Sequence, residues 1–225
     1  MTVLHLADET EAADLAAFLS RLLHYDRGAA VRLQAAGTAL AVFGRPPSFE
    51  VVVVRAVRLA KPYEDGLDVT LDVTVSAGEL LESMDERAAT AGVPAAVTGP
   101  PWAGVLPPRG GWQPEPGLPA PEALRTTVAA AVAEFRSRTE ELAPERRTRA
   151  ELDRIGRDIW SRDIGETRLP VRAVHAAQSL GFLRPGTGAA DTGLFSSGAW
   201  LRLRTPYGSV AVRRAGIGTL GVSVR

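Results

Sequence analysis

Residue types that carry chemistry are few in this chain and badly spaced for it. His5, His24 and His175 stand far apart, and none belongs to a familiar metal-ligand pair. Cysteine is absent, which removes disulfides, thiolate nucleophiles and thiolate metal sites together. No Gly-x-Ser-x-Gly elbow occurs, and the glycine-rich stretch Gly186 to Gly193 lacks the lysine of a phosphate loop. Asp68 and Asp72 share one face of an alternating stretch. Four residues of extended chain separate them by about 13 Å, too far to share a proton. They fit a solvated face paired with Arg32 or Arg58. No catalytic group, metal or cofactor is therefore expected.

What the sequence does offer is arginine and tryptophan. Of 26 basic residues only Lys61 is a lysine; asparagine is absent, while Ala, Gly, Pro and Arg abound, a bias that points to a high-GC bacterial genome. The 26 acidic residues balance the charge overall but not along the chain. Residues 1–144 hold 12 basic and 19 acidic side chains, a net of −7, and residues 145–225 hold 14 and 7, a net of +7. Opposed halves predict either a matched interface inside the protein or a basic surface for an external anion. The candidate interaction residues are Arg172, Arg202, Arg204, Arg213 and Arg214 in the basic part, with Trp102, Arg109 and Trp112 in the preceding loop. Arg55 shares a side with Val53 and Val57, and reads either as a buried, paired arginine in a cleft or, the favoured expectation, as a stem that snorkels to water.

The elements that must position these residues read as an α+β fold. Leu15, Phe18, Leu19, Leu22 and Leu23 form one helical stripe, with Asp8 or Thr10 as cap. Val31 and Leu33, the Gly37-Thr38 turn and Leu40 to Phe43 predict a hairpin. Val51 to Val54, apolar on both faces, reads as a central strand. Leu67 to Val75, strictly alternating beyond the turn-rich Lys61 to Gly66, reads as its neighbour with one wet face. Ser76 and Glu79 form a capping box for a helix running to Gly92-Val93-Pro94.

An antiparallel sheet of about four strands flanked by helices is thus expected over 1–92. A Pro/Gly/Trp loop or linker should follow over 93–121, then a mainly helical part with a C-terminal β-hairpin over 122–225. The loop carries nine prolines. Two tryptophans in it argue for a loop pinned to the domain surface rather than a free linker. Leu124 to Leu142 and Leu152 to Ile159 predict a helical hairpin, and Val171 to Leu180 a third helix opened by Pro170. Gly186 to Gly198 reads as loop, Trp200–Arg204 and Ser209–Arg213 as a hairpin around Pro206-Tyr207-Gly208, and 216–224 as one more short strand.

From Leu152 to Arg213 the order helix, helix, hairpin resembles a winged helix. That resemblance implies a recognition helix presenting Arg172, His175 and Gln178 to DNA, and a wing carrying Arg202, Arg204, Arg213 and Arg214. The turn from Arg162 to Leu169 is longer than that motif uses. Three readings follow. The first is a non-enzymatic accessory or regulatory protein acting by protein–protein contact, as a homodimer or on a larger ATPase or cell-cycle machine. The second is a nucleic-acid-binding regulator. The third is an enzyme with a pocket under the Trp102/Trp112 loop, where Arg55 or Arg109 would hold an anion. Met1 to Ala13 lacks the pattern of a secretory signal, and five prolines break the long uncharged run Ala88 to Pro108. A cytoplasmic protein without a membrane partner is expected.

Overall fold

The computed structural model describes residues 2–61 and 71–214. In chain order these form β1 (Val3–His5), α1 (Glu9–Tyr25), β2 (Ala30–Ala36), β3 (Ala39–Gly44), β4 (Val52–Arg58), β5 (Asp72–Ser76), α2 (Ala77–Glu82), β6 (Met84–Asp85) and β7 (Thr90–Gly92). A 3-10 turn at Pro101–Gly104 precedes β8 (Gln113–Glu115), α3 (Pro121–Glu140), α4 (Arg149–Trp160), α5 (Val171–Ser179), β9 (Gly193–Ser197), β10 (Trp200–Thr205) and β11 (Gly208–Arg213). The fold is α+β. Among the described residues no helix is long and apolar enough to cross a membrane.

One antiparallel sheet of eight strands, ordered β5-β2-β3-β4-β11-β10-β9-β8, organises the molecule. The four N-terminal strands are continued, edge to edge, by four from the second half. They join where β4 meets β11 through Val54↔Ser209, Val53↔Val210 and Val52↔Ala211. The order is palindromic: each half contributes a helix, a run of three consecutive strands and an outer strand beside the first of them. β1, β7 and β6 form a separate small sheet.

The inner face of the large sheet is covered by helices. Asp8 caps α1, its carboxylate accepting from the Glu11 amide at 2.9 Å. Leu15, Phe18, Leu19 and Leu22 all lie buried, and each such burial stabilises by about 2 kcal/mol. Phe18 stacks on Phe182 at 5.7 Å, so α1 touches the second half as well as the first. α5 buries Val171, Ala173, Val174 and Ala176, and packs between β11 and α3. α3 and α4 pair as the expected helical hairpin, held by Arg162 donating to Glu134 at 2.6 and 2.8 Å and Arg138 donating to Asp158 at 2.5 Å. These bonds hold both carboxyl groups below their ordinary pKa.

Several expectations need correction. β5 pairs with β2, not with β4: Val31↔Val75 and Leu33↔Val73 put the alternating strand at the far side of the hairpin. Val73 and Val75 then match β2's own alternation, a register two neighbouring period-2 patterns favour. Ser76 caps α2 through the Glu79 amide as expected, but the helix stops at Glu82 and the chain turns into β6 and β7 instead of continuing to Gly92. The glycine-rich stretch is not all loop, since Gly193–Ser197 is a strand paired on both sides. Pro62 to Thr70, including Asp68, and the tail strand expected at 216–224 lie outside the described residues.

Candidate functional site

Strand alternation sends Leu, Val and Arg55 of the central strands inward, and leaves small, aromatic and cationic residues outward. On β3 and β4 the outward residues are Ala39, Ala41, Phe43, Val52, Val54 and Ala56; on β10 they are Trp200, Arg202 and Arg204. The Pro-rich loop crosses this outer face without covering it. Trp102, Leu106 and Trp112 pack on a second hydrophobic cluster of Phe43, Val52, Val54, Trp200 and Ala211, separate from the helix-covered core. The tryptophans thus pin the loop. Trp112 is fixed further by its indole N–H, which donates to the Pro108 carbonyl at 3.0 Å. Arg32 braces the loop from beneath, donating to the Ala103 carbonyl at 2.7 Å and to Asp72 at 2.7 Å. That bond holds the Asp72 carboxyl below its ordinary pKa.

Beside the pinned loop lies a groove of about 280 Å³. Ala39, Ala41, Ala56 and Val54 form its floor, Pro107, Pro108 and Arg109 one wall, and Gln34 and Arg202 contribute its polar groups. The floor is low because Ala41 and Ala56 sit directly opposite each other on β3 and β4, where larger strand residues would fill the space. Arg202 is half-buried. Its Nε donates to Ser209 Oγ at 2.9 Å, and its guanidinium lies 5.5 Å from the Trp112 ring. Burial, and secondarily the charge of Arg204, lower its pKa. Among the described residues no carboxylate lies within 4.0 Å of it. Arg109, on the rim, has 79% of its side chain exposed and reaches Asp72 only at 3.9 Å. Such a surface can desolvate an apolar group and hold an anion. Among the described residues its lining includes no histidine, carboxylate or tyrosine.

Of the eight residues singled out by sequence, six meet on this outer face: Trp102, Arg109, Trp112, Arg202, Arg204 and Arg213. Arg204 lies over Phe195 at 4.7 Å and Arg213 over Trp200 at 5.5 Å. Two do not join them. Arg214 turns to the sheet edge and binds Glu115 at 2.7 Å. Arg172 stands on α5, where its Nε is 3.8 Å from Glu50. The helical arginines are largely consumed by nearby acids, as in Arg154–Glu151 and Arg149–Asp153, and Arg184 crosses to Asp14 of the first half at 2.7 Å. The charge asymmetry is thus partly an internal match and partly an open cationic strip.

The winged-helix arrangement is absent. The hairpin β10–β11 lies inside the sheet with β4 on one flank and β9 on the other, so it is no free wing. α5 is packed rather than presented, with His175 stacked on Trp160 at 4.7 Å and edge-on to Phe49 at 5.1 Å. Arg55 does not snorkel. It is 5% exposed on the inner face, donating to Glu11 at 2.9 Å, Asp14 at 3.3 Å and the Tyr207 carbonyl at 2.8 Å. It lies across the sheet from the loop and cannot hold an anion beneath it. Sequence reasoning missed the alanine floor and Ser209. The available signal was alanine at alternate positions 39 and 41 of one strand and at 56 of the next.

Comparison with known proteins adds the following. The family model described as a domain of unknown function, DUF8010, matches residues 1–104, and a second one, DUF8185, matches residues 107–217. The division falls within the Pro-rich loop, just before the groove wall begins. No curated protein matches the chain. Among solved structures, the chain is similar to a DNA polymerase sliding clamp from Pseudomonas aeruginosa, with 12% sequence identity and a TM-score of 0.46 over 92% of this chain. The match covers 64% of the clamp chain, so this chain spans less than two thirds of its length.

Proposed function

We propose that the chain is a non-catalytic, cytoplasmic interaction module whose working surface is the outer face of the eight-stranded sheet, where it engages a protein partner as an accessory or regulatory subunit. The observation that carries this reading is Arg202: a half-buried cation bordering an apolar groove, without an acidic partner among the described residues. A guanidinium in such a setting has lost part of its hydration, a cost that an incoming anion offsets. The sheet's edges support the face over the edge as the contact surface. Beyond β5 the Val97 amide already donates to the Thr74 carbonyl at 2.9 Å, and outermost β8 carries Pro114, which cannot extend a ladder.

The test is site-directed photocrosslinking in the native host. A crosslinker at Ala36, exposed on the rim of the groove, should capture a discrete protein, and capture should vanish in Arg202→Ala. The same crosslinker at exposed Thr126 on α3 should capture nothing that depends on Arg202. Equal capture from both positions, or capture at Ala36 indifferent to Arg202, refutes the reading.

A further inference from the structure

The shape and charge of the groove narrow what it can accept. The space of about 280 Å³ above the floor is open to solvent and takes individual side chains of a segment laid across it. The floor of Ala39, Ala41 and Ala56 offers only methyl groups and backbone, a seat for an aliphatic or aromatic group. The cations stand at defined places around it. Arg202 is held at Nε by Ser209, and its guanidinium lies over the Trp112 ring at 5.5 Å, so two contacts restrain it before anything binds. Its two terminal nitrogens make no hydrogen bond among the described residues and are not sealed from solvent. A planar fork in that state matches a carboxylate end-on. Arg109, exposed on the rim, can add a second, weaker charge contact.

We infer that this groove receives an extended protein segment in which an apolar side chain is followed by a carboxylate. The apolar group lies on the alanine floor, Arg202 holds the carboxylate, and Arg109 screens it from the rim. This rests on the reading of the outer face as the working surface. Charge complementarity selects the occupant: an apolar segment alone leaves Arg202 unanswered, and a polyanion alone leaves the alanine floor wet.

The probe is a fluorescein-labelled peptide of alternating phenylalanine and glutamate, compared with its glutamine counterpart and with single-stranded oligothymidine, by fluorescence anisotropy on the full chain. The glutamate peptide should bind, and Arg202→Ala should weaken it at least about tenfold, the scale of a lost charge-assisted hydrogen bond. Arg202→Lys should recover only part of this, because the fork is gone while the charge stays. Arg109→Ala should cost about two- to threefold, as exposed charges do. Ala56→Leu, which fills the floor without touching charge, should also abolish binding, and Arg154→Ala should change nothing. The glutamine peptide should bind wild type as poorly as the glutamate peptide binds Arg202→Ala.

Equal binding of the two peptides, or binding untouched by Ala56→Leu, overturns the inference. So does tighter, steeply salt-dependent binding of oligothymidine, which makes the strip a nucleic-acid surface. An Arg202-dependent dimer in sedimentation without peptide assigns the groove to a second copy and likewise overturns it. Photocrosslinking at Ala36 that persists while the peptides fail would sink the segment chemistry and leave the interaction surface standing.

Discussion

The indole N–H of Trp112 donates to the carbonyl of Pro108 at 3.0 Å, tying the wall of the groove to the ring on which Arg202 rests. One bond therefore joins the groove wall to the ring nearest its cation. Trp112→Phe keeps a ring for the guanidinium and removes the donor. We expect a loss of about 1 kcal/mol in urea unfolding, the net value of one such bond. Faster amide exchange should appear at Arg109 to Gln113, with no change at β3. Unchanged exchange in that loop would show the bond to be incidental.

Arg55 and Arg58 lie on one strand and both meet Glu11, yet their surroundings differ. Side-chain exposure is 6% for Arg55 and 71% for Arg58. Replacing Arg55 with methionine strips a buried cation from Glu11, Asp14 and the Tyr207 carbonyl, and should cost about 3 kcal/mol. Arg58→Met should cost far less, as the loss of a solvent-screened surface pair does. Denaturant midpoints of the two variants decide it; similar losses would mean that burial does not set the worth of this network.

Gly208 opens β11, and a Cβ built there would stand 2.5 to 2.8 Å from the Phe182 ring. That ring is itself wedged against Phe18, so it has little freedom to yield. Gly208→Ala should destabilise by about 2 kcal/mol, an overpacking cost. Pairing it with Phe182→Leu should recover part of the loss. Strict additivity in this double-mutant cycle would place the strain elsewhere.

Burial among Trp160 and Phe49 holds the His175 pKa below the ordinary 6.5. As pH falls, the unfolded chain therefore takes up this proton before the folded one. The stabilisation is whole above about pH 6.5 and is withdrawn as pH drops from there toward the folded value. Urea midpoints should fall between about pH 7.5 and 5.5, and His175→Phe should flatten that slope while keeping the ring stack. A second loss should come below about pH 4, from Asp72, Glu134 and Asp158, whose folded pKa values are depressed by arginine partners. An unaltered slope in His175→Phe would assign the first transition to another group.

Local pattern was legible in the sequence wherever one face of an element is buried. The stripe of α1, the β2–β3 hairpin around Gly37, the Ser76 cap and the pinning of the loop by two tryptophans all follow from spacing and residue type. Partner choice between strands was not legible. Nothing in Val51 to Val54 says that its open edge meets Ser209 to Ala211 from the far end of the chain, and that pairing turns a supposed wing into the middle of a sheet. Arg55 illustrates the same point: its burial depends on Glu11, Asp14 and Tyr207 arriving from three other elements. The site was half legible. Its cations and tryptophans stand out by type, but its floor is made of alanines, whose significance is the absence of bulk and emerges only when two strands lie side by side.

The palindromic strand order has a mechanical consequence for the groove. Its alanine floor belongs to the first half of the chain and Arg202 to the second, and among the described residues the ladder joining the halves is three residue pairs long. Whatever occupies the groove straddles that short join like a staple. Occupancy must then raise the cohesion of the halves, and loosening the join must lower affinity to the same degree.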